Sequence, residues 1–372
     1  MAKINVRSPY FVNVTATNLT QCDMELYIYE GTQTTDRGAV IYDIESVAYN
    51  ENVTFEISEL VRDYLDVIFD GTYTGQNIWV DYRINNYING TPSGYGSYVQ
   101  LTGYDGYGYF EDGANPQNNS SVLISNDTIL LLDDNNARIP VDSNLATKVS
   151  FANNGEVLYT QNISTSLESD EQIIYVSNGI NGVDSFKERV LSDLNAYFED
   201  SECLKNFFDL YSLFPVDKIY VEDANGVNVI NVNLVGECLQ TPYKLTFINK
   251  FGALQDLWFF KKSNTSLTTK DEKYKSNIVT NGIYSISSHV QTILNKQGNE
   301  KITLNSGFYP ESNNEVFRQL LLSDKVWIEI NSQTLPVNIA SSSLQFKTQL
   351  NDKLINYTID VDYAFDKINN IR

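Results

Sequence analysis

One histidine in 372 residues removes most metal and acid–base chemistry from consideration. His289 rules out an HExxH zinc motif and any multi-histidine metal site, and it has no acidic partner within its own segment, ISSHVQTIL. A Ser-His-Asp or Cys-His arrangement would have to draw every other member from elsewhere in the fold. Cysteine is almost as scarce. Cys22, Cys203 and Cys238 are far apart, odd in number and without CxxC spacing, which excludes a disulfide framework and a zinc site and leaves buried free thiols as the expectation. No GxxxxGK[ST] loop occurs, and no GxGxxG follows a strand to open a helix, so no nucleotide or other cofactor is expected. Long apolar runs are missing as well. No stretch reaches the roughly 18 residues that a membrane-spanning helix requires, and the opening MAKINVRSPYFVNV lacks the apolar core of a secretory signal. The expected location is therefore the cytoplasm in which the chain is made, or a particle assembled there, with no membrane partner. Positive charge is also in short supply: 26 Lys and Arg stand against 47 Asp and Glu, a net charge of −21. Such a field repels phosphate backbones, so nucleic acid is not an expected partner.

What the chain does have is 25 Tyr and 18 Phe among many Asn, Thr and Ser. Aromatic and β-branched runs separated by polar turns are a β-rich pattern. The fold class expected is mainly β: tandem β-sandwich domains, Ig-like or jelly-roll-like, with a few short helices. Length supports two to four domains, and changes in texture suggest three, over 1–120, 121–236 and 237–372.

In the first, strands are expected over 10–15, 24–29, 40–44, 53–57, 78–84 and 98–101, spaced as in a sandwich. FEISELVRDYLD interrupts them with Ile57, Leu60, Val61, Tyr64 and Leu65 at helical spacing and Ser58 as an N-cap, a lid over one sandwich edge. The second has short strands over 121–124, 129–132, 148–151, 157–160 and 172–176. A helix opening on the Ser185 and Glu188 capping box follows over 185–199, then a hairpin around Asn225-Gly226. The third is built on TPYKLTFINKFGALQDLWFFKKS, 241–263, a hairpin whose two aromatic arms, 243–248 and 257–260, flank the turn 249–252. Four successive apolar residues at 257–260 suggest a strand covered on both faces. Helices are expected in ISSHVQTILNKQG, stopping at Gly298, and in PESNNEVFRQLLLS, capped by Ser312 with Glu315 in box position. The helix-between-strands arrangement of the first and third domains suggests a distant internal repeat. The end, 352–365, alternates cleanly as a half-buried strand, with Ile355, Tyr357, Ile359 and Val361 on one face.

The least regular stretch is GYGSYVQLTGYDGYGYFEDGANPQNNSS. Its glycines permit turns, and Tyr95, Tyr98, Tyr104, Tyr107, Tyr109 and Phe110 supply flat side chains with little entropy to lose. These six are the candidate interaction residues, either for a neighbouring subunit or for a saccharide. Asp105, Glu111 and Asp112 there, and Asp133, Asp134 and Asn135 further on, are calcium-type ligands, but neither run has EF-hand spacing and no metal site is assigned. Glycoside hydrolysis needs only two carboxylates at the right separation; it is the one chemistry the residue inventory leaves open.

The aromatic hairpin, the ending KVWIEI...LPVNI...FKTQLNDKLINYTIDVDYAFDKINNIR and the opening KINVRSPYFVNV together resemble virion structural proteins of tailed bacteriophages, among them phages of Bacteroidetes-type hosts, the crAss-like phages, and phages of marine samples. The resemblance covers about half of the chain and carries no catalytic residues. It implies a non-enzymatic neck, tail or baseplate subunit that repeats around an axis, with other copies of itself in a ring and neighbouring virion proteins as partners. The alternative is a saccharide-binding adhesin or receptor-binding module, or a glycoside depolymerase.

Overall fold

The computed structural model describes residues 2–132, 135–163, 172–177, 216–341, 343, 345 and 354–368. The helix expected over 185–199, Cys203 and the acids Asp133 and Asp134 lie outside the described residues. The chain is mainly β, with several sheets and few short helices, in keeping with tandem β-sandwich domains. In chain order the first elements are β1 (Ala2–Asn5), β2 (Phe11–Thr15), β3 (Leu19–Tyr29), β4 (Tyr42–Val47), β5 (Asn52–Glu56) and α1 (Ser58–Arg62). Then come β6 (Ile78–Ile88), β7 (Thr91–Tyr95), β8 (Val99–Tyr104), β9 (Thr128–Leu132), β10 (Arg138–Asp142), β11 (Ala146–Asn153) and β12 (Glu156–Asn162). They are followed by β13 (Ile173–Ser177), β14 (Lys218–Asp223), β15 (Gly226–Val235), β16 (Tyr243–Ile248), β17 (Leu254–Phe259) and β18 (Lys261–Lys275). The last are β19 (Gln291–Asn305), β20 (Tyr309–Pro310), α2 (Asn314–Leu322), β21 (Val326–Ile330), β22 (Gln333–Ile339), β23 (Leu354–Ile355) and β24 (Thr358–Tyr363).

Two compact units result, grouped differently from the three consecutive blocks read from the sequence. The first unit takes Met1–Gly236 together with Thr246–Leu257 and Ser312–Asp324; the second takes Glu237–Leu245, Trp258–Glu311 and Lys325–Arg372. The turn of the aromatic hairpin and α2 thus belong with the first unit, although they lie late in the chain.

In the first unit, β1-β8-β6-β3-β4 form one sheet, with β7 also pairing with β6. Strand β3 explains its core. Cys22, Met24, Leu26 and Ile28 alternate onto one face and are buried, as the two-residue period requires. They pack with Ile4, Val80 and Leu101 of the same sheet, with Val12, Val53 and Phe55 of the β2–β5 pair, and with Ile57 and Val61. Helix α1 closes this core, but it is one short turn rather than the longer helix expected. Ser58 is its first helical residue and not its cap; the Ser58 backbone N–H (2.9 Å) and hydroxyl (2.5 Å) both donate to Glu56 Oε1. A second sheet, β12-β11-β14-β15-β9, buries Val149, Phe151, Ile219, Val221 and Ile230. Its β14–β15 hairpin turns at Asn225-Gly226, where Asp223 Oδ1 accepts both turn N–H groups. The strand expected over 121–124 is only an isolated bridge, Val122 to Val141.

Helix α2 buries Val316, Phe317 and Leu320, as its spacing predicts. The capping box does not form. Ser312 Oγ donates to Asp127 Oδ1 (3.3 Å), and the first turn is entered through a 3-10 turn, Glu311–Asn313, leaving Glu315 free for another partner.

In the second unit, β21, β22, β24, β19 and β18 are successive neighbours in a sheet that also includes β16 and β17. Ile302, Leu304, Ile328, Val337, Ile359 and Val361 are buried. The terminal alternation therefore holds. Tyr309 is buried beside Phe260 (ring centroids 6.2 Å) and donates its hydroxyl to the Trp258 carbonyl (2.7 Å), satisfying the one polar atom that burial would otherwise strand.

The largest departure is ISSHVQTILNKQG. It forms no helix: it supplies an exposed turn region and the first part of β19, a 15-residue strand paired along its length with the 15-residue β18. Ile286, Val290, Ile293 and Leu294 fall at helical spacing by coincidence, while Val290, Thr292 and Ile293 are β-branched and the cross-strand pairing decides. Gly298 stands within the strand and stops nothing. Lys261 and Lys262 are the first two residues of this long strand. Cys22 is buried as expected, whereas Cys238 is exposed, and both are free thiols. Among the described residues no helix is long and apolar enough to cross a membrane, and no group of three or more His, Cys, Asp or Glu is placed to hold a metal.

Candidate interaction surface

The six aromatic residues singled out in the sequence do not form one loop. Tyr95 ends β7, Tyr104 ends β8, an interior strand of its sheet, and Phe110 begins a 3-10 turn, Phe110–Asp112. They divide into an outer pair, a buried seam and one exposed ring.

The outer pair is set by the register of β3, β4 and β6. Residues paired across strands share a face, so the β3 positions that do not enter the core meet their counterparts on the opposite side of the sheet. Glu25 pairs with Arg83 and Asp43, Tyr27 with Asp81, Asp23 with Asn85 and Glu45, and Tyr29 with Trp79. On this face Arg83 ion-pairs with Glu25 and lies 4.7 Å from the Tyr95 ring centroid and 5.1 Å from that of Tyr98. Arg37 lies over Tyr98 at 3.8 Å and reaches down to the fully buried Asp81 (2.5 Å), which also accepts from the Tyr29 hydroxyl (3.0 Å). Tyr27 meets Tyr98 edge-on at 5.5 Å and donates to Glu25 (2.7 Å). The Arg83 hydrogen bond holds the Glu25 carboxyl below its ordinary value against the opposing effect of burial. Burial, then the nearby Glu25 and Asp43 charges, pushes the Tyr95 hydroxyl up to about 12. Cation–π contacts of this kind contribute about 0.5–2 kcal/mol each. Tyr95 and Tyr98 remain 38% and 37% exposed, so this pair presents ring surface to solvent.

The seam runs from Tyr104 to Tyr109. Tyr104 and Tyr107 are only 4% and 9% exposed, which corrects their assignment as adhesive side chains: their rings face the unit's own interior. Tyr104 packs with Leu123, Ile173 and Ala253, and burial, with Asp142 nearby, raises its hydroxyl well above the ordinary value. The glycine between them has a structural purpose. A Cβ on Gly106 would stand 2.7 Å from the Lys250 carbonyl oxygen and 2.8 Å from Asn5 Oδ1, so only glycine admits the hairpin turn this close. The Tyr107 N–H donates to that same Lys250 carbonyl (2.9 Å), and the Arg7 N–H donates to the Gly106 carbonyl (3.0 Å). Arg7 covers the Tyr107 ring at 4.8 Å and ion-pairs with Asp324 (2.9 Å). Tyr109 donates to Glu315 (2.6 Å) under Lys250 at 5.4 Å. That contact uses the acid which the capping-box pattern had reserved for α2. Phe110 alone is open, at 98% exposed.

Sequence reasoning missed Glu25, Arg37, Asp81 and Arg83. The signal for three of them was present in the alternation of DMELYIY and WVDYRI, whose polar members must share the face opposite the apolar ones. Arg37 lies in a loop and left no periodic trace. Elsewhere in the first unit, a groove on the outer face of the second sheet is lined by Lys148, Val157, Tyr220, Glu222 and Val229. Its one carboxylate is ion-paired with Lys148 at 2.7 Å, and glycoside hydrolysis calls for two.

No family model and no curated protein matches the chain. Among solved structures, Drosophila OTK, extracellular domains 3-5, is similar over 80% of this chain and 87% of that one, at 7% identity and a TM-score of 0.19, a likeness on which no argument rests.

Proposed function

We propose that this chain is a non-enzymatic structural subunit of a tailed-phage virion, a ring-forming neck, tail or baseplate component that acts through protein–protein contacts. Its partners are other copies of itself and neighbouring virion proteins. The observation that carries the reading is the set of open sheet edges. Among the described residues, strands β4, β12 and β18 each end a sheet, and each offers unpaired backbone beside exposed apolar side chains: Val47 by β4, Leu158 on β12 and Leu267 on β18. Monomeric β proteins cover or blunt such edges, whereas subunits that close into a ring meet a different patch of the next copy there. The net charge of −21 keeps such a subunit soluble before assembly, and the phage resemblance of the two ends and the aromatic hairpin points to the same class.

Stoichiometric presence in purified virions, with symmetric rings in negative-stain images of the protein alone or on its particle, is the expected result. The exposed rings of Tyr95, Tyr98 and Phe110 favour one other reading, a saccharide-binding adhesin. A protein that stays monomeric alone and on particles but binds on a glycan array would replace the first reading with the second.

A further inference from the structure

The β18–β19 hairpin is an arm without a core. Strand β24 accompanies β19 from Asn305 back to Lys301, and the C-terminal segment reaches Gly298, where the Lys367 N–H donates to its carbonyl (2.7 Å). Beyond that point, among the described residues, 270–275 and 291–297 pair only with each other. This free portion is about 23 Å long at about 3.3 Å per residue, before the turn region 276–290 is added. Both of its faces are open. Ile283, Ile286 and Leu294 are 75%, 94% and 71% exposed, and Leu267, Tyr274 and Ile293 are open too. A two-stranded ribbon with no covered face is marginal by itself in water, and exposed aliphatic side chains on this scale mark a contact.

Charge selects the occupant. Residues 261–305 hold seven lysines against three acids, so the arm region carries +4 in a chain of −21, leaving −25 on the remainder. Lysines along a free edge oppose pairing between two arms. The complementary surface is strand β4, the free edge of the first sheet. Residues 42–51 contain Asp43, Glu45 and Glu51, no lysine or arginine, and the exposed Val47 and Tyr49. We infer that the arm docks on the β4 edge of a second copy of this chain, its aliphatic tip against Val47 and Tyr49 and its lysines against Asp43 and Glu45. The contact is heterologous, since an arm meets an edge and not another arm, and it propagates around a ring. The inference rests on the ring reading above and gives that ring its adhesive contact.

The test is a charge swap in the full chain. One variant carries Lys270→Glu and Lys275→Glu on the arm; another carries Asp43→Lys and Glu45→Lys on the edge. Each alone opposes like charges at every arm–edge contact, so each is expected to lose association at least tenfold in sedimentation velocity at low salt. An equimolar mixture restores it, because both arm–edge combinations across an alternating ring are then complementary. Ile286→Asp with Leu294→Asp, at exposed positions, is expected to abolish assembly while thermal melting stays as in wild type. Assembly is read in solution and by incorporation into particles. Wild-type protein that forms no oligomer in either setting overturns the ring reading and the arm contact with it. Arm variants that assemble as wild type overturn the arm contact alone, as does failure of the mixture to restore assembly, or rings that form normally but no longer enter particles.

Discussion

Residues 104–109 and the outer half of the β18–β19 arm both carry large aromatic or aliphatic side chains, but different things lie against their backbones. In the first, strand β1 and the turn of the aromatic hairpin lie close on the backbone, near enough that Gly106 has no room for a Cβ. Its tyrosines are consumed by its own unit. In the second, among the described residues, each strand pairs only with its partner strand, and Ile286 and Leu294 stand in solvent. What makes a segment available for contact is therefore the backbone pairing around it. Composition does not decide the matter: the stretch richer in tyrosine is the one that is used up. Mutations that separate backbone packing from side-chain exposure sharpen this contrast.

The largest effect is expected where the Tyr98 ring covers Arg37. Asp81 is fully buried, and Arg37 supplies its counter-charge. Removing one partner of such a pair leaves a charge stranded, so Arg37→Ala is expected to cost about 3–5 kcal/mol in urea unfolding. Adding Asp81→Asn should recover part of the loss, because the orphaned charge goes with it. A loss under about 1 kcal/mol would mean that this face is wetter than its geometry implies.

Gly106→Ala comes next. The added methyl meets backbone and a fixed amide that cannot swing aside, and overpacking of this kind costs about 1–3 kcal/mol. Gly298→Ala in the arm is the control. The one tight contact of its Cβ would be Leu267 Cδ1, at 3.1 Å, the end of an exposed side chain that can rotate, while Lys367 Cβ at 3.7 Å and the Thr268 carbonyl oxygen at 3.9 Å are at ordinary contact distance, so a change within about 0.5 kcal/mol is expected. Equal effects at the two glycines would break the comparison.

These positions also explain how far the sequence could be read. The β class, the Asn225-Gly226 and 249–252 turns, the alternation of 354–363 and the apolar stripe of α2 were all legible, because each depends on neighbours within a few residues. The seam was not, because the need for glycine at 106 is imposed by Lys250, which is distant in the chain. Glu315 misled for the same reason: its spacing from Ser312 is a capping box, yet the Tyr109 hydroxyl claims it. The arm failed differently. Ile286, Val290, Ile293 and Leu294 have helical spacing, and only the pairing with β18 turns them into turn and strand. Of the candidate residues, Tyr95, Tyr98 and Phe110 keep solvent-facing surface, while the Arg37, Arg83 and Glu25 framework that holds the first two is set by cross-strand register.

A smaller effect is expected from acid. The Arg83 hydrogen bond lowers the Glu25 carboxyl below the ordinary 4.5. Its contribution is therefore complete above that value and is lost as pH falls through the lower folded value. Arg83→Gln should flatten the acid limb of the stability curve below about pH 4.5, so that its cost is full at neutral and higher pH, where lost packing on Tyr95 and Tyr98 adds to it, and shrinks as pH falls. An acid limb identical in the two proteins would remove the Glu25–Arg83 pair from the account.

The smallest effects belong to the residues that look most adhesive. Phe110, the residue after the first region compared, and Ile286, in the second, are 98% and 94% exposed. A side chain already in water loses no burial when it is truncated, so Phe110→Ser and Ile286→Ser should each leave unfolding free energy within about 0.5 kcal/mol of wild type. Tyr107→Ser, only three residues from Phe110, should instead cost several times more, because its ring is covered by Arg7 and buried. If Phe110→Ser were as destabilising as Tyr107→Ser, the seam would extend through the 3-10 turn, and the division of this stretch into buried and open halves would fall.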